Sequence, residues 1–221
     1  MFIFHGSCQV IKNPIYKGGK PYNDYGYGFY CTEDPDMARE WSVDAERNGY
    51  VNKYELAIEK LKILNLEEYG LLSWLAVLLE NRTFDVSTPL AREGKKYIIR
   101  EFLPEYEQYD VICGYRADDS YFSFAQDFIN GVISYDQLNR AMHLGRLGKQ
   151  VVIKSKDAFD VIRWVDAVEV SSEEWFPRKA ARDSKARQEY ADMNKEQYIR
   201  GALYITRILD EEIKRNDARL Q

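Results

Sequence analysis

Residues 24–32 read Asp24-Tyr25-Gly26-Tyr27-Gly28-Phe29-Tyr30-Cys31-Thr32, a run of aromatic rings spaced by glycines. Phe29 to Thr32 has the length and apolarity of a short strand. Asp34-Pro35 follows with the acidic N-cap and first-turn proline that open a helix. That helix carries Met37, Ala38, Trp41 and Ala45 on one stripe and is expected to end near Gly49. Working back from the run, residues 12–28 are rich in Gly, Pro, Asn and Tyr without periodicity, which predicts a long loop of the kind that is usually functional. Before the loop, the apolar run Met1 to Phe4 stops at His5-Gly6-Ser7, so a buried first strand delivers a polar trio at its end.

Working forward, Tyr50 to Glu55 alternates as a strand, Leu61 to Leu66 is a second apolar segment, and Leu71 to Leu79 is a dense apolar helix. Val111 to Cys113 is a buried strand. Asp118-Asp119 begin a helix reaching about Ile129, and another covers Tyr135 to Met142. Val151 to Ile153 is a strand after the Gly148 turn, Lys156 to Ile162 a helical turn, and Trp164 to Val170 a closing strand. Helices and short strands mix without a βαβ rhythm, which makes the class α+β. Two units are expected, a domain over residues 1–171 and a C-terminal helical extension over 172–221. In the extension Asn194 and Gln197 have capping-box spacing, with Met193 and Tyr198 as a staple. A tail helix over about 194–216 would then bury Tyr198, Ala202, Ile205, Leu209 and Ile213. The tail helix is expected to pack on the domain or on a partner subunit, with contact of Arg178, Lys179, Arg182, Lys185 and Arg187 to nucleic acid or a membrane as the alternative.

The 221 residues are 45% hydrophobic and 30% charged, which excludes a disordered or disulfide-framework chain. A net charge of −5 gives no global field for nucleic acid or an anionic membrane. Three cysteines, Cys8, Cys31 and Cys113, lack metal-ligand spacing and read as thiols of a reducing compartment, so a cytoplasmic location is expected. No apolar run is long enough to span a bilayer. Aromatic side chains are the one skew: 17 Tyr, 10 Phe and 4 Trp could line a cleft for flat ligands as well as a core.

Motifs for a Walker loop, HExxH, GxSxG and a strand-to-helix GxGxxG are absent. Only two histidines are present, and His143, near a helix end, reads as a cap or surface residue. The His5-Gly6-Ser7 strand end, the loop, the run Asp24 to Thr32 and the helix with Trp41 together resemble the ADP-ribosyltransferase fold of the His-Tyr-Glu group, as in diphtheria toxin and the poly-ADP-ribose polymerases. Within it the chain is most similar to the bacterial domain of unknown function 3990, whose opening is a His-Gly-Ser, a DFGxGFYxT run and a helix; Tyr25 here replaces that Phe. The resemblance spans about residues 2–171, with Ala117-Asp118-Asp119 and Lys149 to Ile153 included. It implies two small packed β-sheets with flanking helices.

The same resemblance implies NAD as co-substrate, no metal, and a site made of eight residues. His5, Tyr30 and Gln150 would be catalytic; Gly6, Ser7, Tyr25, Gly28 and Trp41 would bind the cofactor. His5 would bond a ribose hydroxyl, the Gly6 backbone would hold the carboxamide, and Ser7 would support the nicotinamide end. Tyr30 would lie against one face of the nicotinamide, with Trp41 a second stacking ring or simply core. Gln150 stands where the wider fold has glutamate. It can hold a hydroxyl but cannot act as a general base, which favours mono-ADP-ribosylation. A carboxylate at 150 would serve a developing cation better, and a base could come from Asp118 or Asp119, which otherwise cap their helix. The implied partners are a macromolecular acceptor, protein or nucleic acid, and, for a toxin, a neutralising protein. The alternative is a non-catalytic NAD- or ADP-ribose-binding or interaction module on the same fold.

Overall fold

The computed structural model describes residues 1–117, 119–144, 148–194 and 198–220, by backbone alone at 119, 120 and 194. Two small sheets form. The first joins β1 (Phe2–Ser7), β3 (Gly49–Leu56) and β7 (Ile162–Val170) in the order β1-β3-β7, all antiparallel. The second joins β2 (Phe29–Cys31), β6 (Lys149–Ile153), β5 (Val111–Tyr115) and β4 (Ile63–Asn65) in that order, with only β4–β5 parallel. The class is α+β.

Period-two alternation explains how the sheets stack. Ile3, Tyr54 and Leu56 of the first sheet share a buried cluster with Cys31, Val111, Val151 and Ile153 of the second. The alternate residues point outward. Phe4, Val51 and Val170 meet Ala38 of α1 (Pro35–Ser42) and Trp175 and Phe176 of α7 (Ser172–Asn194). Ile112 and Val152 meet the largest cluster, built on α2 (Leu71–Asn81), α3 (Pro89–Phe102), α4 (Asp119–Ile129), α5 (Tyr135–Ala141) and α8 (Ile205–Asp210). Between β6 and β7 lies the short α6 (Lys156–Asp160). Every residue of α2 from Leu71 to Leu79 is buried, as expected of a helix apolar all round.

Two expectations are corrected, and one helix is added. The first helix stops at Ser42, short of Gly49, and Ala45 lies outside it. There the chain must turn so that Gly49 can pass against Ser42, where a Cβ would sit 1.9 Å from the Ser42 carbonyl oxygen. Helix α3 was not anticipated, although Thr88 caps it through the Ala91 amide and Pro89 opens it. The tail is also divided differently. A single helix fills Ser172–Asn194, and the expected helix over 194–216 is reduced to Ile205–Asp210. Gly201, at φ +88°, interrupts it in a conformation that right-handed helix excludes. Gln197 and the Asn194 side chain, the expected capping box, lie outside the described residues. Tyr198 is 75% exposed and stacks on Tyr204, whereas Ile205 and Ile213 are buried in the largest cluster.

Candidate functional site

The sheets meet where β1 passes β2, both edge strands. Phe4 and Thr32 form an isolated bridge, with N–H to O distances of 2.7 and 2.9 Å. Residues i and i+2 of a strand direct their backbone groups to the same edge. The N–H and C=O of Gly6 therefore face the same way as those of Phe4, one rung beyond the bridge, where a cleft begins. Gly6 has a second constraint: a Cβ there would lie 2.1 Å from the Ala38 carbonyl oxygen and 2.8 Å from Trp41 Cβ. Only glycine lets α1 lie on β1, and that contact carries Trp41 to the cleft wall.

The cleft has a volume of about 1290 Å³, and His5, Gly6, Gly28, Tyr30, Trp41 and Gln150 all border it. Six of the eight sequence-derived site residues, drawn from four separate stretches of the chain, thus converge. Ser7 and Tyr25 are not on its wall. The Ser7 hydroxyl accepts from the Gln9 amide, and Tyr25 is fully buried with its hydroxyl donating to the Tyr115 carbonyl at 2.6 Å.

His5 Nδ1 donates to the Tyr30 carbonyl at 2.6 Å, since a carbonyl can only accept. Burial pulls its pKa below the usual histidine value, the Tyr30 bond acting the other way. The neutral ring then carries its lone pair on Nε2. The Tyr30 hydroxyl donates to the Gly26 carbonyl at 2.7 Å and accepts the Tyr25 amide at 3.0 Å, and burial raises its pKa. Its hydroxyl is occupied in holding the loop, so Tyr30 offers a ligand its ring.

Gln150 is 3% exposed, and its amide nitrogen donates to Asp24 Oδ2 at 3.1 Å and to the Tyr115 carbonyl at 3.2 Å. With both N–H groups used, the carbonyl oxygen is what it can offer. Asp24 also accepts from Arg82 Nη1 at 2.7 Å and from the Ala117 amide at 2.9 Å. Burial raises its pKa while Ala117, Arg82 and Gln150 oppose the rise. Sequence reasoning quoted Asp24 without giving it a role and passed over Arg82; the signal was an acid heading a ring-rich run. Asn52, fully buried, was also missed: it accepts the Ile11 amide at 2.8 Å and donates to the Gln9 carbonyl at 3.1 Å, fastening the loop that roofs the cleft.

Asp118 and the Asp119 side chain lie outside the described residues. His143 is exposed, its Nδ1 donating to the Asn139 carbonyl at 2.8 Å. Of the basic residues of the tail, Lys179, Arg182 and Arg187 border the cleft. Arg178 pairs with Glu174 at 3.0 Å and Lys185 with Glu189 at 3.8 Å. No helix of the described residues is long and apolar enough to cross a membrane.

Fold and site together define an α+β protein with an aromatic and basic cleft at the junction of two sheets. The chain belongs to the family described as protein of unknown function (DUF3990), whose model matches residues 1–164. Searches of curated proteins and of solved structures returned no match.

Proposed function

We propose that this protein is an NAD-dependent mono-ADP-ribosyltransferase with an ADP-ribosyltransferase-like fold, transferring ADP-ribose to a protein or nucleic-acid acceptor and releasing nicotinamide. The observation that carries the reading is the convergence of His5, Gly6, Tyr30, Trp41 and Gln150 on one cleft. Breaking the bond from ribose to nicotinamide builds positive charge on the sugar, as in glycoside cleavage. The outward N–H and C=O of Gly6 match the acceptor and donor of a carboxamide. His5 Nε2, kept neutral by burial, accepts a ribose hydroxyl proton. The Tyr30 ring supplies a flat wall for the pyridinium.

The contact with Asp24 supports this reading despite a glutamine at the third position. An amide whose N–H bonds a carboxylate carries more negative charge on its oxygen, because chained hydrogen bonds polarise one another. Gln150 so backed by Asp24 turns an enriched carbonyl oxygen to the developing cation. Its amide is not basic enough to take a proton from an acceptor, in keeping with single transfer instead of chain elongation.

Purified protein incubated with NAD labelled in its adenylate half and, separately, in nicotinamide, with a bacterial lysate, tests the proposal. Free nicotinamide with label on protein or nucleic acid is the expected result. Bound but uncleaved NAD would select the non-catalytic binding module, and the absence of both binding and cleavage would remove the proposal. As a toxin, the protein would also need a neutralising partner in its own cell, and co-purification would identify it.

A further inference from the structure

Among the described residues, the cleft is bordered by six basic side chains, Lys12, Arg82, Arg116, Lys179, Arg182 and Arg187, against two carboxylates, Asp24 and Asp183. The whole chain is acidic, at −5, so this concentration of positive charge is local. Arg82 is paired with Asp24, and Arg187 with Asp183 at 2.9 Å. Arg182 on α7 differs. Its Nε donates to Glu40 at 2.8 Å, with both side chains largely buried, yet its Nη1 is buried with no hydrogen-bond partner among the described residues. The indole N–H of Trp41, next in sequence to Glu40, is buried and unpartnered in the same way. Both residues border the cleft. Buried donors without acceptors are rare and costly, and two at one wall imply an acceptor that arrives with a ligand.

We infer that the wall formed by α7 and Trp41, centred on Arg182, is an anion subsite that takes the diphosphate of a nucleotide. The inference rests on the reading of the cleft as an NAD site and adds where its charged middle is held. Planar guanidinium donors suit phosphate oxygens, and an indole N–H adds a neutral one. At about 1290 Å³ the cleft exceeds the roughly 300–1,000 Å³ of sites for drug-sized ligands. The family match ends at residue 164, so α7 supplies this subsite from outside the matched segment.

The test is titration calorimetry on the full chain with ADP, inorganic pyrophosphate and adenosine. ADP and pyrophosphate should bind, more weakly as salt rises from about 50 to about 200 mM, and adenosine should bind at least about tenfold more weakly than ADP. Arg182→Gln should weaken ADP about tenfold or more, and Trp41→Phe, which keeps a ring and loses the N–H, by a smaller factor. Glu40→Gln breaks the same ion pair while keeping the guanidinium, and should bind ADP at least as well as wild type. ADP affinity unchanged in a folded Arg182→Gln, an equal loss in Glu40→Gln, or no binding of ADP and pyrophosphate by wild type would overturn the subsite. If wild type releases no nicotinamide but ADP binding still depends on Arg182, the transferase reading fails and the subsite stands. If NAD turnover persists with unchanged KM in Arg182→Gln, the subsite fails and the transferase reading stands.

Discussion

The amide nitrogen of Gln150 lies 3.1 Å from a carboxylate oxygen of Asp24, two buried side chains 126 positions apart in the chain. From sequence alone Gln150→Glu promises equal or better catalysis. The contact with Asp24 reverses that expectation, because two carboxylates at this distance cannot both ionise. Gln150→Glu should lower stability by about 3 kcal/mol or more at pH 7. The introduced carboxyl has a folded pKa above its ordinary value of about 4.3. Its penalty is therefore full above the folded pKa and fades as pH falls toward about 4.3. Urea melts of both proteins at neutral and mildly acid pH measure this, and equal stability at pH 7 would contradict the contact. Nicotinamide release should fall in Gln150→Ala.

His5 predicts an opposite pH trend for the wild type. Its folded pKa is depressed by burial from 6.5, so in acid the unfolded chain takes up the proton first. The stability carried by neutral His5 is whole above about pH 6.5 and is lost as pH falls through the lower folded value. His5→Asn, which keeps a donor for the Tyr30 carbonyl, should lose less stability than wild type between about pH 6.5 and 5. Thermal melts across this range on both proteins decide it, with parallel curves counting against a buried neutral imidazole.

Gly6→Ala should be among the most damaging small substitutions in the chain. The added carbon would sit 2.1 Å from a backbone oxygen of α1, and backbone cannot move aside as a side chain can. Overpacking typically costs about 1–3 kcal/mol, and this site should reach or exceed the upper figure. A melting temperature within two or three degrees of wild type would show that α1 does not rest on β1 as described.

The tail predicts a contrast between neighbours. Ile205 is fully buried in the largest cluster, so Ile205→Ala should cost about 2–5 kcal/mol. Tyr198 is 75% exposed, and Tyr198→Ala should stay within about 0.5 kcal/mol. Truncation after Ser171 would remove Ala186, Tyr190, Ile205, Ile208 and Ile213 from buried positions and leave a destabilised or aggregating chain, measurable by size exclusion and melting.

Much of the fold was legible because its signals are local. Alternation in Tyr50 to Glu55, the Asp34-Pro35 cap and the all-round apolarity of Leu71 to Leu79 each specify an element without reference to anything distant. Element ends were less legible. Ser42 ends its helix because Gly49 must pass it, and Gly201 divides the tail while Tyr198 and Ile205, which share a helical stripe in sequence, go to water and to core. Those outcomes depend on what packs alongside, which spacing does not encode.

The sequence by itself determined the α+β class, the long loop before Phe29, and the candidates His5, Gly6 and Tyr30 that border one cleft, since motif residues are adjacent or spaced by short-range geometry. Only the tertiary structure decided that Tyr25 is core and not cleft, that Asp24 stands behind Gln150, and that Arg182 of the last long helix shares a wall with Trp41 of the first. Each of these relations joins residues far apart in the chain. Burial and hydrogen-bond satisfaction are settled by the whole packed arrangement, so a side chain that looks free in sequence can be spoken for, or left waiting, only once the chain has closed on itself.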